Sequence, residues 1–197
     1  MPNWCYTRIT INHENETELK NLYKLIEEWT SKNYMENGFG HNWLGNIVLG
    51  SGVGTVDTGN DTDLRCRGNI DYSDLNDNQL IIHTETAWNP MLKMWVKVLE
   101  KYLPDAELLY EAEECGCGLY STNDPYMKGC YYIDSWDIED IESDMEASEE
   151  TVREILQNLL DTMETDIDKL LRMFEESEHS ENMSIHKWDF DEINIWD

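Results

Sequence analysis

Residues 80–102 read LIIHTETAWNPMLKMWVKVLEKY, and this stretch holds a strand, a stop and a helix in that order. Residues 80–86 form a compact apolar run rich in Ile and Thr, the composition of a buried strand. Asn89 and Pro90 then supply a cap and a first-turn proline. Met91, Leu92, Trp95, Val96, Leu99 and Tyr102 recur at helical spacing behind them, which predicts an amphipathic helix ended by Pro104.

Working outward, residues 106–110, 118–121 and 130–133 read as further strands on the C-terminal side. On the N-terminal side, residues 4–11 alternate apolar and polar side chains as a first strand. Asn15 caps a helix over residues 17–29, with Glu18 in the capping-box position and Leu19, Leu22, Tyr23, Ile26 and Trp29 along one face. Between residues 31 and 77 glycines punctuate the chain so often that only short strands, at 47–49 and 68–72, are expected. The order strand, helix, strands, helix, strand predicts an α+β fold with helices on one face of an antiparallel sheet.

From residue 135 the composition shifts, with 21 acidic against 4 basic residues, whereas the first part carries 21 against 10. This step predicts a domain over residues 1–134 and an acidic helical tail over 135–197. Ser148, Glu149 and Glu150 open a long helix in which Val152, Leu156, Leu159, Met163, Ile167, Leu170 and Phe174 alternate spacings of three and four. Such a stripe needs a partner surface, either the domain's own sheet or a coil with a second copy or another protein. The end, residues 188–197, intersperses Trp188, Phe190, Ile193, Ile195 and Trp196 with acids, as an edge strand, a docking segment or a recognition peptide would.

The net charge is −28, from 14 basic and 42 acidic residues. Phosphate-backbone binding needs clustered Lys and Arg, so direct contact with nucleic acid is not expected, and basic proteins are the expected partners. The five cysteines, an odd count, and the lack of any apolar stretch of membrane length place the chain in a reducing cytosol, away from membranes.

Four constellations invite chemistry. Gly50-Ser51-Gly52-Val53-Gly54-Thr55 misses both the spacing of the dinucleotide fingerprint and the phosphate-loop lysine, and reads as a linking loop. Cys115, Cys117 and Cys130 bring soft metal ligands into one region, but the first pair is one residue short of the usual zinc spacing; strand thiols packed in a core explain them equally. Asp74, Asn76, Asn78 and Glu85 match calcium-loop positions, yet Gln79 replaces the required glycine and a strand follows, so a hairpin turn is expected. His83 and Glu85 share a strand face and, with Trp43, Trp88 and the cysteines, outline an alternative ligand pocket. No nucleophile is marked out, and no cofactor is implied.

Two further segments, Met1-Pro2-Asn3-Trp4-Cys5 and Thr86-Ala87-Trp88-Asn89-Pro90, resemble the YubB-type ferredoxin-like domain family of plasmid- and phage-borne proteins. The resemblance covers residues 1–134 and implies a ferredoxin-like split β-α-β sandwich. Where that family shows Trp-Gly-Thr-Lys-Trp-Asp, this chain has Arg67-Gly68-Asn69-Ile70-Asp71, and Met91 stands in place of a second proline. With the charge, the resemblance leads to the expectation of a non-enzymatic accessory protein of a mobile element. It would act as an acidic inhibitor or nucleic-acid mimic on a basic or nucleic-acid-binding host protein, through Glu149, Glu150, Asp166, Asp168, Trp188 and Trp196, with a homodimer through the 148–174 helix as a further option. A small-molecule or metal site, or an enzyme built on it, is the alternative.

Overall fold

A computed structural model describes residues 3–35, 39–61, 63–136, 138 and 141–191, an α+β chain. It divides into two compact units, one up to Leu119 and one over Tyr120–Asp191. Among the described residues, no helix is long and apolar enough to cross a membrane.

The first unit runs β1 (Trp4–Asn12), α1 (Glu16–Thr30), α2 (Leu44–Ser51), β2 (Gly68–Asn76), β3 (Gln79–Ala87), α3 (Leu92–Tyr102) and β4 (Glu107–Glu114). Its strands lie in the order β2-β3-β1-β4, with every neighbouring pair antiparallel. Period-two alternation divides the sheet. Cys5, Ile9 and Ile11 of β1 and Leu80 and Ile82 of β3 are buried against Leu19, Leu22 and Ile26 of α1, Ile47 and Val48 of α2, and Leu92 and Trp95 of α3. The other face carries the cross-strand row Tyr72, His83, Arg8 and Glu111.

α1 starts where the cap is read: the Asn15 side chain accepts hydrogen bonds from the Thr17 and Glu18 amides. α3 starts later than its cap signal, at Leu92, because Trp88 (φ 75°) and Met91 (φ 54°) both adopt left-handed backbone around Asn89-Pro90. The Thr86 hydroxyl holds that turn by donating to the Asn89 carbonyl at 2.7 Å. The strand expected at 47–49 is instead part of α2. Gly45 and Gly50 read as breakers, but they sit inside this helix as the bare spots on which the Trp43 and Trp29 rings rest. The positions resembling a calcium loop form the β2–β3 hairpin, with Asn76 donating to Asp74 at 2.8 Å.

The second unit comprises β5 (Leu119–Thr122), a 3-10 turn at Pro125–Met127, β6 (Tyr131–Ser135), β7 (Asp144–Ala147), α4 (Glu149–Leu159), α5 (Ile167–Glu175), a second 3-10 turn at Glu178–Glu181, β8 (Met183–Lys187) and β9 (Asp189–Phe190). β7, β6 and β8 make an antiparallel sheet in that order, and β9 pairs in parallel with β5. Tyr131, Ile133, Ala147, Met183, Val152, Leu156, Leu170 and Phe174 form its core. The charge step at 135 therefore does not coincide with the division between units, because β6 pairs on both sides with strands of the acidic segment.

The single helix expected over 148–174 is two helices. α4 ends at Leu159, Asp161 turns left-handed at φ 45°, and α5 begins at Ile167. The apolar stripe finds its partner inside the unit, where its buried members Val152, Leu156, Leu170 and Phe174 close over the three-stranded sheet. Met163, counted in the stripe, lies in the break and is 93% exposed.

Candidate functional site

The first unit holds a cleft of about 490 Å³ at the end of its sheet where β1 starts and β3 finishes. Trp4 enters it from β1, Ala87 from β3, and Gly68 and Asn69 from the start of β2. Trp43, the cap residue of α2, and Phe39 form an aromatic wall, their rings 5.1 Å apart and inclined at 49°. Asp57 and residues 63–67 complete the lining.

That last segment is built by a polar staple and an alternation. The Asp63 carboxylate accepts hydrogen bonds from the Thr55 and Thr58 hydroxyls and from the Thr58, Gly59 and Asn60 amides, at 2.6 to 3.3 Å. These donors, the Thr58 hydroxyl first, hold its carboxyl at about 2. Beyond it Leu64 and Cys66 are buried while Arg65 and Arg67 are exposed, an extended run with its arginines on one side. The Arg67 carbonyl accepts from the Ala87 amide at 2.8 Å, which continues the β2–β3 ladder and fixes the second arginine at the rim. Neither arginine has an ion pair or side-chain hydrogen bond with any described residue. In a chain with three acids for every base, two exposed guanidinium groups without a partner among the described residues, beside aromatic rings, are the least expected feature of the cleft.

The lining favours holding over reacting. Cys66 is its thiol, and burial, with Asp57 and Asp63 nearby, pushes it up to about 12, so it stays protonated. An aromatic wall with guanidinium groups at its mouth suits a ligand with a flat body and an anionic end.

The residues singled out by sequence are scattered. Trp43 lies in the cleft wall. His83 and Glu85 are on the sheet face away from the helices, where His83 packs beside Tyr72 at 6.0 Å and burial lowers its pKa. Trp88 is 47% exposed in the turn before α3 and is not part of the lining. Cys115 and Cys117 are exposed in the turn after β4 rather than on a strand, and Cys130 belongs to the second unit. Among the described residues no group of three or more His, Cys, Asp or Glu side chains gathers to hold a metal ion.

In the second unit, Glu149, Glu150, Asp166 and Asp168 are exposed and occupy the first turns of α4 and α5. Asp166 caps α5 by accepting from the Lys169 amide, and Glu149 pairs with Arg153 at 2.6 Å. Trp188 is buried, its indole N–H donating to the Met145 carbonyl at 2.8 Å, so it is a core residue and not an exposed anchor. Trp196 lies outside the described residues.

Arg65 and Phe39 are not named by the sequence reading, and Trp4 and Arg67 enter it only in the segments compared with the YubB-type family, not as site residues. The available signal was the pair of arginines two apart in a strongly acidic chain. A comparison of the chain with protein-family models, curated proteins and solved structures finds no match.

Proposed function

We propose that the first unit is a non-catalytic binding module that holds a small ligand in the cleft between Trp43 and Arg65. The observation that carries this reading is the pairing of an aromatic wall with the two exposed guanidinium groups of Arg65 and Arg67 around a cavity of about 490 Å³, within the roughly 300–1,000 Å³ range of small-molecule sites. A ferredoxin-like assignment accompanies it: the order β2-β3-β1-β4, with a helix crossing after β1 and another after β3, supports a split β-α-β sandwich. The same order supports kinship with YubB-type domains. Five free thiols support a cytosolic setting.

The test is native mass spectrometry of the full chain, followed by titration with small aromatic anions while tryptophan fluorescence is read. Retention or saturable quenching that is lost in Trp4→Ala, an exposed ring of the same lining, with the fold intact by circular dichroism, supports the reading. No retained mass and no quenching with any compound removes it.

A second reading, that the acidic surface of the second unit meets a basic protein, draws on the net charge of −28 and on the exposure of Glu150 and Asp168. Its test needs charge reversals that spare the caps. Glu150→Lys with Asp168→Lys should abolish salt-sensitive binding to a basic probe such as a histone, and unchanged binding would exclude it.

A further inference from the structure

We infer that the ligand of this cleft is a flat heteroaromatic ring carrying a single phosphate, the chemistry of a nucleoside monophosphate, with its phosphate on Arg65 and Arg67. The inference rests on the cleft being a binding site, as proposed above, and names what fills it.

Arg65 and Arg67 stand two residues apart in an extended run. In an extended run, residues two apart project on the same side with Cα atoms roughly 6.5 Å apart. Two guanidinium forks at that spacing can reach one multi-oxygen anion. A carboxylate has two oxygens and satisfies one fork, whereas a phosphate monoester has three terminal oxygens and can engage both. Among the described residues none competes for either fork.

The cleft also argues against more than one phosphate. Asp57 and Asp63 are in the lining, and the whole chain is strongly negative, so a second and third phosphate would meet repulsion that the two arginines do not offset. Asp63 is itself engaged by the hydrogen bonds of its own loop. Next to the arginines stand Trp4, Phe39 and Trp43. Trp4 is 44% and Phe39 71% exposed, so both rings present open surface to a flat partner. Stacking on such rings is tolerant of the base, so adenine and guanine are both accommodated.

The experiment is calorimetric titration of the full chain with adenosine and guanosine 5′-monophosphates, the matching nucleosides, the triphosphates, inorganic phosphate and indole-3-acetate. It is repeated on Arg65→Gln/Arg67→Gln, two exposed positions whose change leaves the core untouched. The expected result is that a monophosphate binds on the order of tenfold or more tighter than its nucleoside. The expected double variant loses that advantage while nucleoside affinity stays the same. Equal affinity for nucleoside and monophosphate, equal affinity for indole-3-acetate, or an advantage that survives the double variant overturns the phosphate assignment but leaves a binding cleft standing. Failure of every compound on the wild-type chain overturns both.

Discussion

The indole of Trp43 lies directly on the Cα of Gly45, two residues along the same chain, so that α2 has room for the cleft wall only because position 45 has no side chain. A methyl group there would collide with the ring Cζ2, Cη2 and Cε2 atoms. Gly45→Ala should therefore displace Trp43, costing about 1–3 kcal/mol by overpacking and changing the tryptophan emission. A variant with wild-type emission and wild-type stability would mean that the wall is not held as described.

Asn15 makes a cleaner test of the fold, remote from the cleft. Its side-chain oxygen accepts from two amides of α1, and its side-chain nitrogen donates to Glu18 at 3.0 Å. Asn15→Ala should lower stability by about 1 kcal/mol in urea denaturation. An unchanged midpoint would show that α1 is held by its buried face alone.

Local signals explain which parts of the fold could be read in advance. β1, β3, α1 and α3 carry the clearest local signals, and each is present with bounds within two residues of those expected. α2 was illegible because its glycines serve packing under Trp43 and Trp29, a tertiary reason that no local rule records. The break after α4 was hidden because a left-handed residue usually announces itself as glycine, and here it is Asp161. The site was mostly missed for a related reason. His83 and Glu85 looked chemical because they alternate on one strand, while Arg65 and Arg67 gained meaning only once the end of the sheet brought Trp4 and Trp43 beside them.

Acid should loosen the cleft before it unfolds the core. Hydrogen bonds from Thr58 and Thr55 hold the Asp63 carboxyl at about 2, below its ordinary 3.8. The folded value is depressed, so its contribution is complete above about pH 4 and is lost as the pH falls through about 2. The Thr58 and Gly59 amides should stay protected from hydrogen exchange at pH 4 and lose protection toward pH 2. Asp63→Asn should lose it already at neutral pH, and protection that is flat across this window in both proteins would refute the staple.

Thiol chemistry separates the five cysteines. Burial raises Cys5 to about 11 and Cys66 to about 12, whereas Cys115 and Cys117 are exposed in one turn. Cys117 donates to the Glu114 carboxylate, which raises its pKa and slows it relative to its neighbour. At pH 8 a thiol reagent should label Cys115 first, then Cys117, and reach Cys5 and Cys66 only in denaturant. Rapid native labelling of Cys66, read by peptide mass mapping, would show the cleft floor to be open.

The end of α4 is a Schellman closure without its glycine. The Thr162 amide donates to the Gln157 carbonyl at 3.1 Å and the Asp161 amide to Asn158 at 3.4 Å, with Asp161 at φ 45° between them. Left-handed backbone costs a side-chain-bearing residue roughly 1–2 kcal/mol, and Asp tolerates it better than most. Asp161→Gly should then stabilise the second unit by about 1 kcal/mol, and Asp161→Val should destabilise it by at least as much. Asp161→Ala distinguishes the two-helix arrangement from a continuous 148–174 helix. In a continuous helix, alanine would raise both stability and helical ellipticity, whereas in the closed turn it forces a methyl into left-handed backbone and lowers stability. Chemical denaturation of the three variants side by side gives opposite orders for the two arrangements, glycine above alanine for the turn and alanine above glycine for the helix.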